Sequence, residues 1–223
     1  MMNIELKLKD STLQIPLPEG VAPDPKLLDG GHPLYYLLKQ PGATANYLNQ
    51  VCDLLRDVPK KLEVLEFCGG IGLIPAALKP VIEWDTWETI ELDPSCEKAY
   101  LLPEVKFMLG DMYDPKWDFT GIDLVFMDFP SNTLPKMWRE PKRAKLLRRV
   151  ADAKPRYWEI TDVGYYWIHL ANHWPIYEKW FGVKPTRENY HQLFDGYMRE
   201  TYGYKVINWT VGGGAQYFLM EAV

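Results

Sequence analysis

The sequence predicts an α/β fold, a three-layer sandwich around a mostly parallel seven-stranded sheet that ends in a C-terminal antiparallel hairpin. Three observations carry this prediction. Short apolar runs alternate with helical patterns between residues 62 and 161, the order that builds parallel strands with helices on both faces. The chain closes on two strand-like segments, 205–211 and 216–222, joined through Gly212-Gly213-Gly214, which reads as a hairpin. A chain of 223 residues that is 47% apolar also holds enough material for one substantial core.

The elements follow in order. Residues 1–41 carry Pro16, Pro18, Pro23, Pro25, Gly30, Gly31, Pro33 and Pro41 and read as an irregular N-terminal arm that opens with a strand pair at 4–8 and 12–15. Residues 42–223 read as one domain. A helix is expected over 44–57, because Ala45, Leu48, Val51, Leu54 and Leu55 fall at helical spacing and Pro59 stops it. Strands are expected at 62–67, 86–92, 105–109, 122–128 and 157–161, with helices at 73–78, 94–101 and 142–153 between them. Helical regions at 165–181 and 187–201 precede the hairpin. Residues 157–209 hold fifteen of the aromatics; most are expected in the core, where large rings pack helices onto sheets, and Tyr165, just past the fifth strand, is a candidate for stacking on a substrate.

Composition narrows the function classes. Charged residues are 25% of the chain and aromatics 14%, unlike a disordered segment. No apolar run approaches the roughly 20 residues that a membrane span needs, and residues 1–10 alternate apolar and charged side chains without a signal-peptide core. Cys52, Cys68 and Cys96 have neither a disulfide framework nor metal-ligand spacing, so a cytoplasmic location is expected. His169 and His173 stand one helical turn apart but lack a third ligand, and no metal site is expected. The net charge is −5, yet residues 136–156 carry nine basic side chains against Glu140 and Asp152.

The chemistry concentrates at strand ends. Val64-Leu65-Glu66-Phe67-Cys68-Gly69-Gly70-Ile71-Gly72 is an apolar strand running into a glycine turn and then a helix. In open α/β sheets ligands sit beyond the carboxyl ends of the strands, and glycines there let a ligand approach the backbone. An ordinary strand-to-helix turn has the same look, so the spacing of the acids matters. Glu91 ends the second strand nineteen residues past Gly72, where a carboxylate accepts from the ribose hydroxyls of a nucleoside. Gly110-Asp111 ends the third strand and Asp128 the fourth. Strand-end acids also occur as turn formers; four in register favour a site. A nicotinamide dinucleotide would need a third glycine where Pro75 stands.

These residues resemble the class I, Rossmann-like S-adenosylmethionine-dependent methyltransferases, by motif over residues 62–130 and by element order beyond. Glu66 to Gly72 looks like their first motif, with Cys68 in place of the first glycine; Ile90-Glu91-Leu92-Asp93-Pro94 resembles the second; Leu109-Gly110-Asp111-Met112 resembles the adenine-contacting turn. The resemblance implies that residues 42–223 form a methyltransferase-like catalytic domain using S-adenosylmethionine. In it Glu66 helps position the methionine end, Cys68, Gly70 and Gly72 line the cofactor, Glu91 holds the ribose, and Asp111 and Met112 meet the adenine. An aminopropyltransferase-like enzyme shares the glycine turn, the Glu-x-Asp strand end and the Gly-Asp turn, and uses a related sulfonium donor. A non-catalytic cofactor-binding partner protein is a further alternative.

On the acceptor side, Met127-Asp128-Phe129-Pro130-Ser131 resembles the Asp-Pro-Pro-Tyr motif of amino-group methyltransferases, with Phe129 for the first proline and Ser131 for the aromatic. The resemblance implies that Asp128 accepts from a target amino group and aligns its lone pair, and that Phe129 and Pro130 contact the acceptor. The basic run after this loop, including Arg148 and Arg149, reads either as a surface for nucleic acid or another polyanion or as the solvated face of a helix whose Leu146, Leu147 and Val150 pack inward; a small-molecule acceptor stays open. Because the run follows the Asp128 loop, replacing its arginines is expected to leave cofactor binding untouched.

Overall fold

The structure, a computed structural model, describes residues 3–17, 34–127, 141–162, 178–179, 181–186, 188–212 and 215–223. The chain opens with β1 (Asn3–Lys7) and β2 (Thr12–Pro16), which pair antiparallel with Leu6 opposite Leu13. Two helices follow, α1 (Tyr35–Lys39) and α2 (Pro41–Leu55). The sequence assigned α1 to an irregular arm, and it started α2 at residue 44. Pro41 instead occupies the first turn, where its missing N–H is no loss and its fixed φ suits a helix.

The alternating region contains β3 (Leu62–Phe67), α3 (Leu73–Leu78), β4 (Trp84–Glu91), α4 (Pro94–Ala99), β5 (Lys106–Leu109) and β6 (Leu124–Met127). Then come α5 (Pro141–Ala153), β7 (Tyr157–Asp162), α6 (Tyr190–Tyr202), β8 (Tyr204–Gly212) and β9 (Ala215–Ala222). Among the described residues the main sheet has seven strands in the order β5-β4-β3-β6-β7-β9-β8. The pairs through β7 are parallel, and β9 pairs antiparallel with both β7 and β8. This is the expected α/β architecture with its closing hairpin. β4 starts two residues earlier than the sequence suggests. Trp84 pairs with Leu62, and its ring meets that of Trp87 edge-on at 5.0 Å.

Helices cover both faces. On one, α2 buries Leu48, Val51, Cys52, Leu54 and Leu55 in a cluster with Val64, Trp87, Phe126 and Leu219. On the other, Leu146, Leu147 and Val150 of α5 and Tyr190, Phe194 and Met198 of α6 pack with Trp158, Phe218 and Met220. Each large apolar side chain buried this way contributes roughly 1.5–3 kcal/mol. The strand order reverses between β3 and β6, the place at which open α/β sheets bind ligands. Register places Phe67 opposite Ile90, Glu66 opposite Phe126 and Glu91 opposite Leu109, which brings the ends of β3, β4, β5 and β6 to one rim. No helix among the described residues is long and apolar enough to cross a membrane.

Candidate functional site

The turn after β3 is built from left-handed residues. The N–H of Cys68 donates to the Ile90 carbonyl at 2.8 Å and extends the β3–β4 pairing by one residue. Cys68, Gly70 and Gly72 then take φ values of 59°, 56° and 78°. Such values suit glycine, and an L side chain there costs roughly 1–2 kcal/mol. Cys68 therefore stands at a position whose backbone favours glycine. The two glycines serve different purposes. Nothing lies within 4 Å of where a side chain on Gly70 would begin, whereas one on Gly72 would come 2.7 Å from the Tyr100 ring. Gly70 thus faces open space and Gly72 closes the underside of the turn. Gly69, which the sequence did not single out, is as constrained. A Cβ there would meet the Thr89 hydroxyl and lie 2.7 Å from Glu66 Oε2.

Glu91 ties the turn to the next strand. One carboxylate oxygen accepts from Gly70 N–H at 2.9 Å, and the other from Leu92 N–H and Asp93 N–H at 2.7 and 3.0 Å. A carboxylate offers about four acceptor sites, so the half-buried group keeps capacity for a ligand while fixing the backbone of both turns. Asp93 caps α4 by accepting from Ser95 N–H at 2.9 Å.

Glu66 lies beneath the turn, 1% exposed. Trp87 Nε1–H donates to its Oε2 at 3.1 Å. The Thr89 and Tyr100 hydroxyls are buried against the same carboxyl group and interact with it. Burial pushes the Glu66 carboxyl up from 4.5 to about 8; the Trp87 N–H opposes the shift and the Glu91 charge adds to it. Burial thus favours the neutral form of this carboxyl group. Trp87, Thr89 and Tyr100 escaped the sequence reading because none carries a motif. They gather around Glu66 only once β3, β4 and the end of α4 are packed.

Cys68 is exposed as a residue, but its sulfur is largely covered and faces the Glu91, Glu66 and Asp111 carboxylates. Desolvation of the sulfur and the charges of Glu91, Glu66 and Asp111 push its thiol up to about 12. Thiolate chemistry at neutral pH is thereby disfavoured. Its sulfur lies 3.7 Å from Met112 Sδ, so the glycine turn and the turn after β5 meet side by side. In that second turn Asp111 Oδ1 accepts from Tyr113 N–H at 3.0 Å. Trp117 Nε1–H donates to the Asp111 carbonyl at 2.8 Å, and a Cβ on Gly110 would come 2.7 Å from the Trp117 ring. Leu92 and Leu109, at the same rim, are 69% and 49% exposed, and neither was singled out from the sequence.

Glu66, Cys68, Gly70, Gly72, Glu91, Asp111 and Met112 thus converge at one rim. The acceptor-side expectations at Asp128, Phe129, Pro130 and Tyr165, and the pair His169 and His173, lie outside the described residues. No group of three His, Cys, Asp or Glu side chains able to hold a metal occurs among the described residues. In the basic run, Lys142, Lys145 and Arg148 are exposed, and the Arg148 guanidinium lies 5.0 Å from the centre of the Tyr202 ring. Arg149 differs: its guanidinium points inward and donates to the carbonyls of Asp114, Pro115 and Trp117. Arg149 is therefore bonded to the turn that Asp111 opens, a link that the sequence reading did not include.

No family model and no curated protein sequence matches the chain. Solved structures do. The complex of the Haloferax volcanii Trm112 methyltransferase activator with a candidate methyltransferase is similar over 86% of this chain and 94% of the matched one, with a TM-score of 0.56 at 13% identity. The methyltransferase domain of bacterial CtHen1 matches over 81% of this chain and 100% of that one, with a TM-score of 0.55 at 15% identity. An O-methyltransferase family 2 protein from Planctomyces limnophilus, solved with apigenin, matches over 88% of this chain and 63% of that one, with a TM-score of 0.55 at 16% identity. The sheet order, the closing hairpin and these likenesses agree on the fold, which is that of the class I, Rossmann-like methyltransferases.

Proposed function

On the methyltransferase fold, we propose that this chain is an S-adenosylmethionine-dependent methyltransferase of the cytoplasm, acting on an amino nitrogen. The observation that carries the proposal is the Glu91 carboxylate bonded to Gly70 N–H at 2.9 Å, with open space above Gly70. A carboxylate held beside a bare backbone suits a nucleoside whose ribose hydroxyls donate to it. The residues present fit the rest of the cofactor. Exposed Leu92 and half-buried Met112 offer apolar surface to an adenine, Asp111 offers an acceptor to its exocyclic amine, and buried Glu66 lies under the glycine turn on the methionine side.

S-adenosylmethionine, when bound, supplies an electrophilic methyl group on a sulfonium. The chain's own contribution is alignment and exclusion of water. Glu91, Gly70 and Gly72 hold the nucleoside, and Asp128 accepts from the acceptor's N–H so that the nitrogen lone pair faces the methyl group. Phe129, Pro130 and Tyr165 border the acceptor. The structural neighbours include the N-methyltransferase NodS and the mitomycin 7-O-methyltransferase MmcR, so the fold itself leaves the acceptor molecule open.

Incubation of the protein with a total lysate and a methyl-labelled donor, followed by separation into nucleic-acid, protein and small-molecule fractions, tests the activity. Label is expected in one fraction and is expected to fall at least about 100-fold in Asp128→Ala, as for loss of an aligning group. Bound cofactor with no label in any fraction would support a non-catalytic partner protein instead.

A further inference from the structure

Arg149 sits in the basic run of α5, yet its guanidinium is spent on the chain itself. Nη1–H donates to the Asp114 carbonyl at 3.2 Å, and Nη2–H to those of Pro115 and Trp117 at 3.4 and 2.6 Å. Its Cζ lies 4.7 Å from the centre of the Phe119 ring. The three carbonyls belong to one short stretch, and a planar fork of donors is the group best shaped to hold several at once. Trp117 carries the link onward. Its Nε1–H donates to the Asp111 carbonyl at 2.8 Å and its ring packs on Gly110. Asp114 N–H donates to the same Asp111 carbonyl at 2.9 Å. Met112, Tyr113 and Trp117 pack the turn against the core on the α5 and α6 side, and these bonds fix its backbone within that packing.

We propose that Arg149 is a positioning residue for the nucleoside end of the site. From α5 it fixes the turn of residues 111–117 through three backbone carbonyls, and so sets cofactor affinity without touching the cofactor. The proposal rests on reading the Asp111 turn as the adenine-side contact. α5 also follows the segment that leaves the end of β6, so one helix joins the acceptor-side chain to the cofactor-side turn.

The test combines amide hydrogen exchange without ligand and calorimetric titration with S-adenosylhomocysteine, applied to wild type, Arg149→Ala, Arg149→Lys, Trp117→Phe and the Arg149→Ala/Trp117→Phe pair, with Asp152→Ala as an exposed control on the same helix. In Arg149→Ala the amides of Tyr113, Asp114 and Lys116 are expected to exchange at least about tenfold faster while those of β3 and β4 hold, the mark of local opening. Cofactor affinity is expected to fall about tenfold. Lysine, a point donor, is expected to restore only part of it. Trp117→Phe keeps a ring on Gly110 and loses the N–H, so its effect and that of Arg149→Ala should be less than additive, as for two links of one chain. Affinity within about twofold of wild type, or acceleration spread evenly over β3 and β4, would overturn the proposal. Failure of the wild type to bind would overturn the cofactor reading itself, while exchange at Tyr113, Asp114 and Lys116 would still decide whether Arg149 holds the turn.

Discussion

Glu66→Gln is expected to be more stable than wild type, by a margin that grows between pH 5 and pH 9. The Glu66 carboxyl titrates near 4.5 when unfolded and near 8 when folded, because burial disfavours its charge. Between these values the folded state binds more protons than the unfolded state, so wild-type stability falls as pH rises through the window and levels off above it. Glutamine stays neutral throughout and retains an acceptor for Trp87 Nε1–H. The two proteins should be close at pH 5 and differ by on the order of 4 kcal/mol at pH 9, since each tenfold difference in proton affinity between the two states is worth about 1.4 kcal/mol. Urea unfolding at pH 5, 7 and 9 measures this. A difference that does not change with pH would mean that Glu66 ionises normally in the folded protein, and that the pocket of Trp87, Thr89 and Tyr100 is wetter than its burial indicates.

Glu91→Ala is expected to weaken S-adenosylhomocysteine binding at least about 100-fold, or some 2.7 kcal/mol. The substitution removes the partner of Gly70, Leu92 and Asp93 N–H together, and the part-buried donors of Gly70 and Asp93, left unpaired, each cost about 1–3 kcal/mol. It also removes the acceptor offered to the ribose. Asp111→Ala makes the contrast. Its Oδ1 holds only Tyr113 N–H within its own turn and the residue is exposed, so a loss under about tenfold is expected, within the range for one surface hydrogen bond. Calorimetry on both variants checks the order; equal losses would contradict the bridging role of Glu91.

The fold was legible where periodicity and turn chemistry agree. The strand at Leu62–Phe67, the glycine turn and the closing hairpin each carry a local signal that packing does not override. The rim where Glu66, Gly70, Gly72, Glu91 and Asp111 meet was legible for the same reason, since its acids and glycines sit at strand ends. The supports of that rim were not. Trp87, Tyr100 and Trp117 look like any core aromatics along the chain, and their meaning comes from the glycines and carboxylate they press against. Composition did not separate Arg149 from its neighbours: among the described side chains of this helix Lys142, Lys145 and Arg148 are exposed, while Arg149 turns onto backbone carbonyls. α1 was missed because five residues of Tyr-Tyr-Leu-Leu-Lys are too short to show a period.

Titration of the wild-type protein with S-adenosylhomocysteine, beside decarboxylated S-adenosylmethionine and a nicotinamide dinucleotide, tests the central claim most directly. The glycine turn, Glu91 and the Asp111 turn predict saturable binding of S-adenosylhomocysteine at one site, weaker binding of the decarboxylated compound, and none of the dinucleotide, whose fingerprint Pro75 interrupts. Preference for the decarboxylated compound would contradict methyl transfer in favour of aminopropyl transfer. Tight binding of the dinucleotide with no heat from S-adenosylhomocysteine would contradict the cofactor assignment altogether.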